Sequence, residues 1–336
     1  MKQLALRFTL KMTLSLVVGM LLVLLSLRLG LRDISWHTVF AALSAFDAND
    51  PDHVTILQLR LPRALTACLG GAALGVAGAL MQTMTRNPLA DPGLLGINGG
   101  AAIGVVISIW GLGLTLQQAL IAPALIGCAI AAAVVLFLGG AAGRNGPDPT
   151  RLLLAGAALN ALFVSLTWAI LILSRESLDV FRFWALGGFT GISSTDLMAV
   201  LPAYFIGFPL AFLTAGMLGP LVLGEEAAAA LGVKVWLVRL LCVVSVVLLC
   251  GTTVSLAGPI AFIGLIVPHL VRPFVGGSVP RLVMASALAG ALLAITADVL
   301  GRVIWTGREV EAGVLIALIG GPTLVVLVKT RWRAAV

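Results

Sequence analysis

From Leu240 to Val271 the chain carries no Asp, Glu, Lys or Arg, and His269 is the one side chain there that can take a charge. A spanning helix takes about 20 apolar residues, so this stretch exceeds one crossing. Gly258, Pro259 and Pro268 fall inside it. Proline removes a helix donor, and broken backbone at membrane depth must be covered by protein or water. The stretch therefore reads as two spans with a break between them. The rest of the chain repeats the pattern: of 336 residues 60% are hydrophobic and 10% charged, with a mean hydropathy of +1.12. Soluble domains have roughly 45–50% apolar and about 25% charged residues. The apolar share suffices for about ten spans.

Charge-free stretches punctuated by Gly and Pro place spans near 8–30, 61–85, 94–112, 117–141, 151–174, 197–218, 235–257, 259–273, 280–301 and 310–329. The fold class is all-α, a single polytopic membrane domain over residues 1–336. Lys2, Arg7 and Lys11 precede the first span, and Lys329, Arg331 and Arg333 close the last. By the positive-inside bias both termini are cytoplasmic and the span count is even. Ten spans then place Arg86, Arg144, Arg151, Lys234, Arg239, Arg272 and Arg281 inside with the terminal cations. Arg28, Arg32, Arg60, Arg63, Arg175, Arg182, Arg302 and Arg308 lie outside, with Asp33, Asp47, Asp50, Asp52, Glu176, Asp179, Glu309 and Glu311. The net charge of +7 is thus spread between spans and does not form a nucleic-acid stripe. The basic start followed by an apolar run resembles a secretory leader, but no A-x-A-like site follows, so a retained first span is expected. Residues 31–60 read as an outer loop with one short helix.

Several chemistries have no carrier. There is no G-x-x-x-x-G-K-[ST] loop, no H-E-x-x-H, and His37, His53 and His269 stand far apart. Cys68, Cys128, Cys242 and Cys250 all fall in apolar runs without metal-ligand spacing, so neither a metal site nor a catalytic residue is assigned. Asp298 is the best candidate for a coupling-ion carboxylate, yet Arg302 one turn later offers simple i,i+4 pairing. Gly71, Gly75 and Gly78, and Gly96, Gly100 and Gly104, form small-xxx-small faces for close helix packing.

Four segments carry more information. In R-L-P-R, residues 60–63, two cations at a helix start oppose the macrodipole, which fits either docking of an external acidic group or headgroup contact. Residues 81–100 include Pro88, Pro92 and Gly93 and force non-helical backbone, either a gate or a tight turn. Residues 219–235 form a non-spanning helix with Glu225 and Glu226 in its first turn and Gly232 at its close, either a contact for a motor subunit or a plain connector. Residues 257–277 combine three prolines with glycines, and His269 beside Arg272 reads as structural.

In order along the chain stand RLPR at 60–63, RNPLADPGLLG at 86–96, RLLLAG at 151–156, RFWALGG at 182–188, LGEEAAAALGV at 223–233, GPIAFIGLIVPH at 258–269, ADVLGR at 297–302 and GVLIALIGGP at 313–322. Together they resemble the permeases of bacterial ABC importers for iron-siderophore complexes, haem and cobalamin, over nearly the whole chain. The resemblance implies ten spans of the type II importer permease fold in the bacterial inner membrane and a second permease copy, as homo- or heterodimer. It also implies cytoplasmic ATPase subunits that use ATP and Mg, and a periplasmic or lipid-anchored binding protein. No cofactor is implied for this chain. Arg60, Arg63 and Arg302 match positions that meet acidic residues of the binding protein. Gly224, Glu225, Glu226, Ala227, Leu231 and Gly232 match the coupling segment, and Asn87, Leu89 and Thr150 the cytoplasmic narrowing of the pathway. GGFTGIS at 187–193 departs from the usual G-S after R-F-W-x-x-G. Ferric siderophore is the expected cargo, with cobalamin or haem as alternatives. An ion-coupled secondary transporter is the distant rival.

Overall fold

The computed structural model describes residues 2–140, 147–305 and 307–334. Arg144, counted above among the inner cations, lies outside them, as do the side chains of Lys2, Arg7, Arg331 and Arg333. All regular structure among the described residues is helical. The helices are α1 (Lys2–Arg28), α2 (Trp36–Ser44), α3 (Pro51–Val54), α4 (Leu61–Thr85), α5 (Ile97–Leu112), α6 (Gln117–Leu138), α7 (Pro149–Leu173), α8 (Arg175–Leu186), α9 (Ser194–Val222), α10 (Glu225–Ala230), α11 (Val235–Ala257), α12 (Ile263–Val275), α13 (Val279–Val303) and α14 (Ala312–Ala334). A π-helical turn, Thr55–Arg60, joins α3 to α4, and a 3-10 turn, Pro92–Leu95, precedes α5.

Seven of these segments are long and apolar enough to cross a membrane: Phe8–Arg28, Pro51–Thr85, Gln117–Leu138, Pro149–Leu173, Ser194–Val222, Val235–Ala257 and Val279–Val303. Three shorter apolar helices, Ile97–Leu112, Ile263–Val275 and Ala312–Val326, occupy the other expected positions. The count of about ten therefore holds only when these are included. α5 is shortened because Pro92 opens a separate 3-10 turn that ends at Gly96, with φ +74°. α12 begins only after an irregular stretch in which Gly258 and Phe262 both have positive φ.

Pro51–Thr85 is the central rod, with 78% of its most apolar window buried, and it packs against α13, α11, α12 and α9. Its glycines permit that crowding. A Cβ at Gly71 would overlap the Gly290 carbonyl of α13, and one at Gly78 the Gly264 carbonyl of α12. Gly100 meets Gly127 of α6 in the same way, as small-residue faces do in bundles. Gly96 does not belong to that face; it supplies the left-handed turn before α5. Pro268 lies within α12 and has no N–H for the Gly264 carbonyl. Gln82 Nε2 donates to that oxygen at 3.3 Å and to Leu265 O at 3.0 Å. The cysteines are core fillers, with Cys128, Cys242 and Cys250 buried and Cys68 half-buried.

Residues 31–60 are more ordered than a loop. Val39, Ala42 and Ile56 form a small core with Leu27 and Ile34, and α3 runs through the π-turn into α4. The bundle end that holds Arg63 is termed the outer end, and the end that holds α10 the inner end.

Candidate functional site

The helix carrying R-L-P-R does not start there. It starts at Pro51, where Asp50 Oδ1 accepts from Asp52 N at 2.8 Å, and Arg60 and Pro62 lie in its interior. A proline inside a helix leaves one carbonyl without its donor, and the π-helical turn immediately before it is the local adjustment. The expected conflict between these cations and a helix N-terminus is therefore absent. Arg60 instead caps the C-terminus of α1 together with Arg302, where orphan carbonyls and the macrodipole favour cations. Arg60 Nη1 donates to Leu27 O at 2.9 Å and Arg28 O at 2.6 Å, and Nη2 to Arg32 O at 2.5 Å. Arg302 Nη1 donates to Ser26 O at 3.0 Å.

Asp298 joins the other two arginines. Its Oδ1 accepts from Arg63 Nε at 2.8 Å, and its Oδ2 from Arg302 Nη2. Arg63 Nη1 also reaches Glu309 Oε2 at 2.6 Å. Asp298 is 0% exposed, Arg302 4%, and Arg60 and Arg63 8% each. Arg60, Arg63 and Arg302 are the positions expected to meet acidic residues of a binding protein; within this chain their charges face inward and are held by its own groups. The i,i+4 pairing of Asp298 with Arg302 is present, and Arg63 extends it into a buried triad. The sequence offered no signal that Glu309 closes the cluster.

The cluster fixes two loops that do carry outward cations. Arg60 holds the carbonyl of Arg32, whose side chain is 78% exposed with Asp52 at 3.6 Å. Arg63 holds Glu309, next to exposed Arg308. Nearby, a cavity of about 470 Å³ is lined by Gln117, Asp179, Trp184, Thr190 and Glu311, among others. Burial raises the Glu311 carboxyl above the usual range, against the opposing hydrogen bond from Thr190 and the charge of Arg63. The unusual 187–193 segment now has a role. Gly188 N donates to Ala257 O at 2.7 Å and Gly313 N to Gly187 O at 3.0 Å. Phe189 is fully buried, and a Cβ at Gly188 would collide with Glu311.

At the inner end, Arg86 takes a left-handed conformation, with φ 52°, and its Nη2 donates to Leu221 O. Asn87 Oδ1 accepts from Leu89 N at 2.9 Å, and Asp91 Oδ1 from Gly93 N at 2.8 Å. Two side-chain-capped turns thus hold the break between α4 and α5. Leu89 and Asn87 are exposed, and Thr150 is exposed on the first turn of α7, beside the Asp148 cap. α10 closes as its sequence suggests: Val233 N donates to Ala228 O and Gly232 N to Ala229 O, with Gly232 at φ +80°, a Schellman close. Gly224 enters it at φ +128°. Glu225 pairs with Arg239 of α11, Glu226 is exposed and Ala227 half-buried. Leu223 and Leu231 are 76% and 68% exposed, an apolar rim around the two glutamates.

The chain is similar to known transport proteins over nearly its full length. It is 40% identical over 300 residues to the probable siderophore transport system permease protein YfiZ of Bacillus subtilis, covering 89% of this chain and 90% of that one. It is 39% identical over 322 residues to the ferric enterobactin transport system permease protein FepD of Escherichia coli, covering 94% and 96%. A metal-chelate type ABC transporter solved in an inward-facing conformation superposes with a TM-score of 0.82 at 29% identity, over 96% of this chain and 98% of that one. Residues 17–330 match the FecCD transport family throughout, and the chain is a member of that family.

Proposed function

We propose that this chain is the permease subunit of an ATP-driven importer that moves ferric siderophore complexes from periplasm to cytoplasm by alternating access. Its similarity along nearly the whole chain to permeases named for siderophore and ferric enterobactin transport carries the reading. The charge distribution supports cytoplasmic termini in the inner membrane, with α10 on the cytoplasmic side. Residues 219–235 then form the coupling segment. Glu225, Glu226 and the exposed Leu223 and Leu231 suit a groove on an ATPase partner, since exposed apolar patches rimmed by polar groups mark interaction sites. That partner uses ATP and Mg, and this chain needs no cofactor of its own. A second permease copy fits the uncovered surface of α7, whose most apolar window is only 17% buried. Exposed Asn87, Leu89 and Thr150 suit the cytoplasmic narrowing.

A delivering binding protein docks at the outer end on Arg32 and Arg308, with Arg60, Arg63 and Arg302 holding the loops beneath. The test is uptake of radiolabelled ferric siderophores and of cobalamin into cells expressing the permease with its binding protein and ATPase. ATPase-dependent iron uptake that falls at least tenfold in an Arg32→Glu, Arg308→Glu variant supports the reading. Cobalamin uptake alone overturns the cargo, and uptake without the ATPase overturns the transporter class.

A further inference from the structure

At the inner end, a cleft opens between the first turns of α1, the end of α12 and the start of α13. Phe8, Met12, Val271, Val275, Ala285 and Ala289 supply its walls, and its volume is about 280 Å³. Leu14 and Phe274 on its rim are 62% and 61% exposed, and the most apolar window of α1 is only 11% buried. The cleft therefore faces whatever surrounds the bundle, which for a spanning helix is lipid.

Lys11 lines the cleft, and Arg281 lies against the ring of Phe8 in its wall. Lys11 Nζ lies 4.4 Å from the centroid of the Phe274 ring, and the Arg281 guanidinium 5.8 Å from that of Phe8. Among the described residues neither forms an ion pair with a carboxylate. Contact with ring faces attracts a cation and keeps these two beside the cleft, where an exposed Lys or Arg would otherwise extend into water.

We propose that this cleft binds an anionic phospholipid, with its phosphodiester between Lys11 and Arg281 and part of one acyl chain along Met12, Val271, Ala285 and Ala289. Each feature selects that occupant. A soluble anion makes no use of the apolar walls. A zwitterionic lipid brings its own amine against the two cations. A helix, about 10 Å across, is too wide for a cleft of this volume. Basic pockets between spanning helices attract acidic headgroups, and each nearby Lys or Arg strengthens the attraction.

The test is native mass spectrometry of the full-length permease in detergent, titrated with phosphatidylglycerol, with phosphatidylcholine of the same chains, and with inorganic phosphate as competitor. Phosphatidylglycerol adducts are expected to survive where phosphatidylcholine adducts do not. Lys11→Ala with Arg281→Ala weakens them about thirtyfold. Lys234→Ala, an exposed cation elsewhere at the inner end, leaves them unchanged. Ala289→Leu keeps both cations and fills the cleft, so it also weakens binding and tests the chain contact if the double variant does not fold. Equal retention by the double variant or by Ala289→Leu, equal binding of phosphatidylcholine, or displacement by phosphate would overturn the proposal.

Discussion

Replacing Asp298 with alanine removes the carboxylate that pairs with both Arg63 and Arg302. Arg63 keeps Glu309, whose side chain is 21% exposed, but Arg302 is left with backbone carbonyls at the end of α1. Removing one partner of a buried pair costs about 3–5 kcal/mol, because an uncompensated charge stays out of water. At roughly 2 °C per kcal/mol for a chain of this size, the apparent melting temperature drops about 6–10 °C.

The assay is thermal unfolding of the detergent-purified permease, followed by tryptophan fluorescence at one fixed scan rate. Asp179→Ala is the internal control, since Asp179 and Arg182 lie 3.2 Å apart with side chains 64% and 60% exposed. Exposed pairs contribute at most about 1 kcal/mol, so this variant melts within about 2 °C of the parent. Adding Arg302→Met to Asp298→Ala removes the stranded charge and recovers part of the loss. If Asp298→Ala melts no lower than Asp179→Ala, the cluster is solvated and the claim that it clamps α1, α4 and α13 fails.

Three further outcomes follow from the geometry. Gly78→Val pushes a side chain into the Gly264 carbonyl of α12 and costs about 3 kcal/mol as overpacking, whereas Gly216→Ala inside α9, with nothing within 4 Å, does not lower the melting temperature and raises it by about 1–2 °C. Glu226→Arg on the exposed face of α10 abolishes ATPase-dependent uptake with less than about a 2 °C change in melting, because surface substitutions change stability little; unchanged uptake would remove α10 from the coupling role. The raised Glu311 carboxyl favours its protonated form in the folded state, so its stabilising contribution is complete below its ordinary value of 4.5 and is lost as pH rises through the raised one. Glu311→Gln should therefore gain on the parent above that range and not below it in a pH series of melting curves.

Elements whose cause is local were legible in the sequence. The acidic first turn and Gly232 define α10, Pro88, Pro92 and Gly93 break the chain after α4, and Gly258 and Pro259 separate α11 from α12, all without long-range help. The short helices were less legible: the apolar run near 259–273 contains no residue announcing that Phe262 takes a positive φ, in a place where its side chain lies against distant Gly320. The outer arginines were legible as a cluster and illegible in orientation. A cation pair written R-L-P-R looks the same whether it points to solvent or to the end of another helix.

That ambiguity resolves only when three distant segments are brought together. Residues 26–32 supply carbonyls, residue 298 a fully buried carboxylate and residue 309 a second one, and none of them neighbours R-L-P-R in sequence. Within the cluster three guanidiniums face two carboxylates and the carbonyl end of α1, and Asp33 and Asp52 also act on Arg60. Such a cluster does not need an external acid to be stable, and the outer segments carry as many carboxylates as arginines. Arg32 and Arg308 add exposed charge above it. A docking acidic surface therefore meets two exposed cations on loops that the buried cluster fixes, so rim substitutions should act mainly on the association rate and its salt dependence. Substitutions in the buried triad should act on whether the outer end folds at all. Measuring both association rate and melting temperature for Arg32→Glu and Arg63→Glu separates these roles: a slower rate with intact melting for the first, and lowered melting for the second, is the required pair of results.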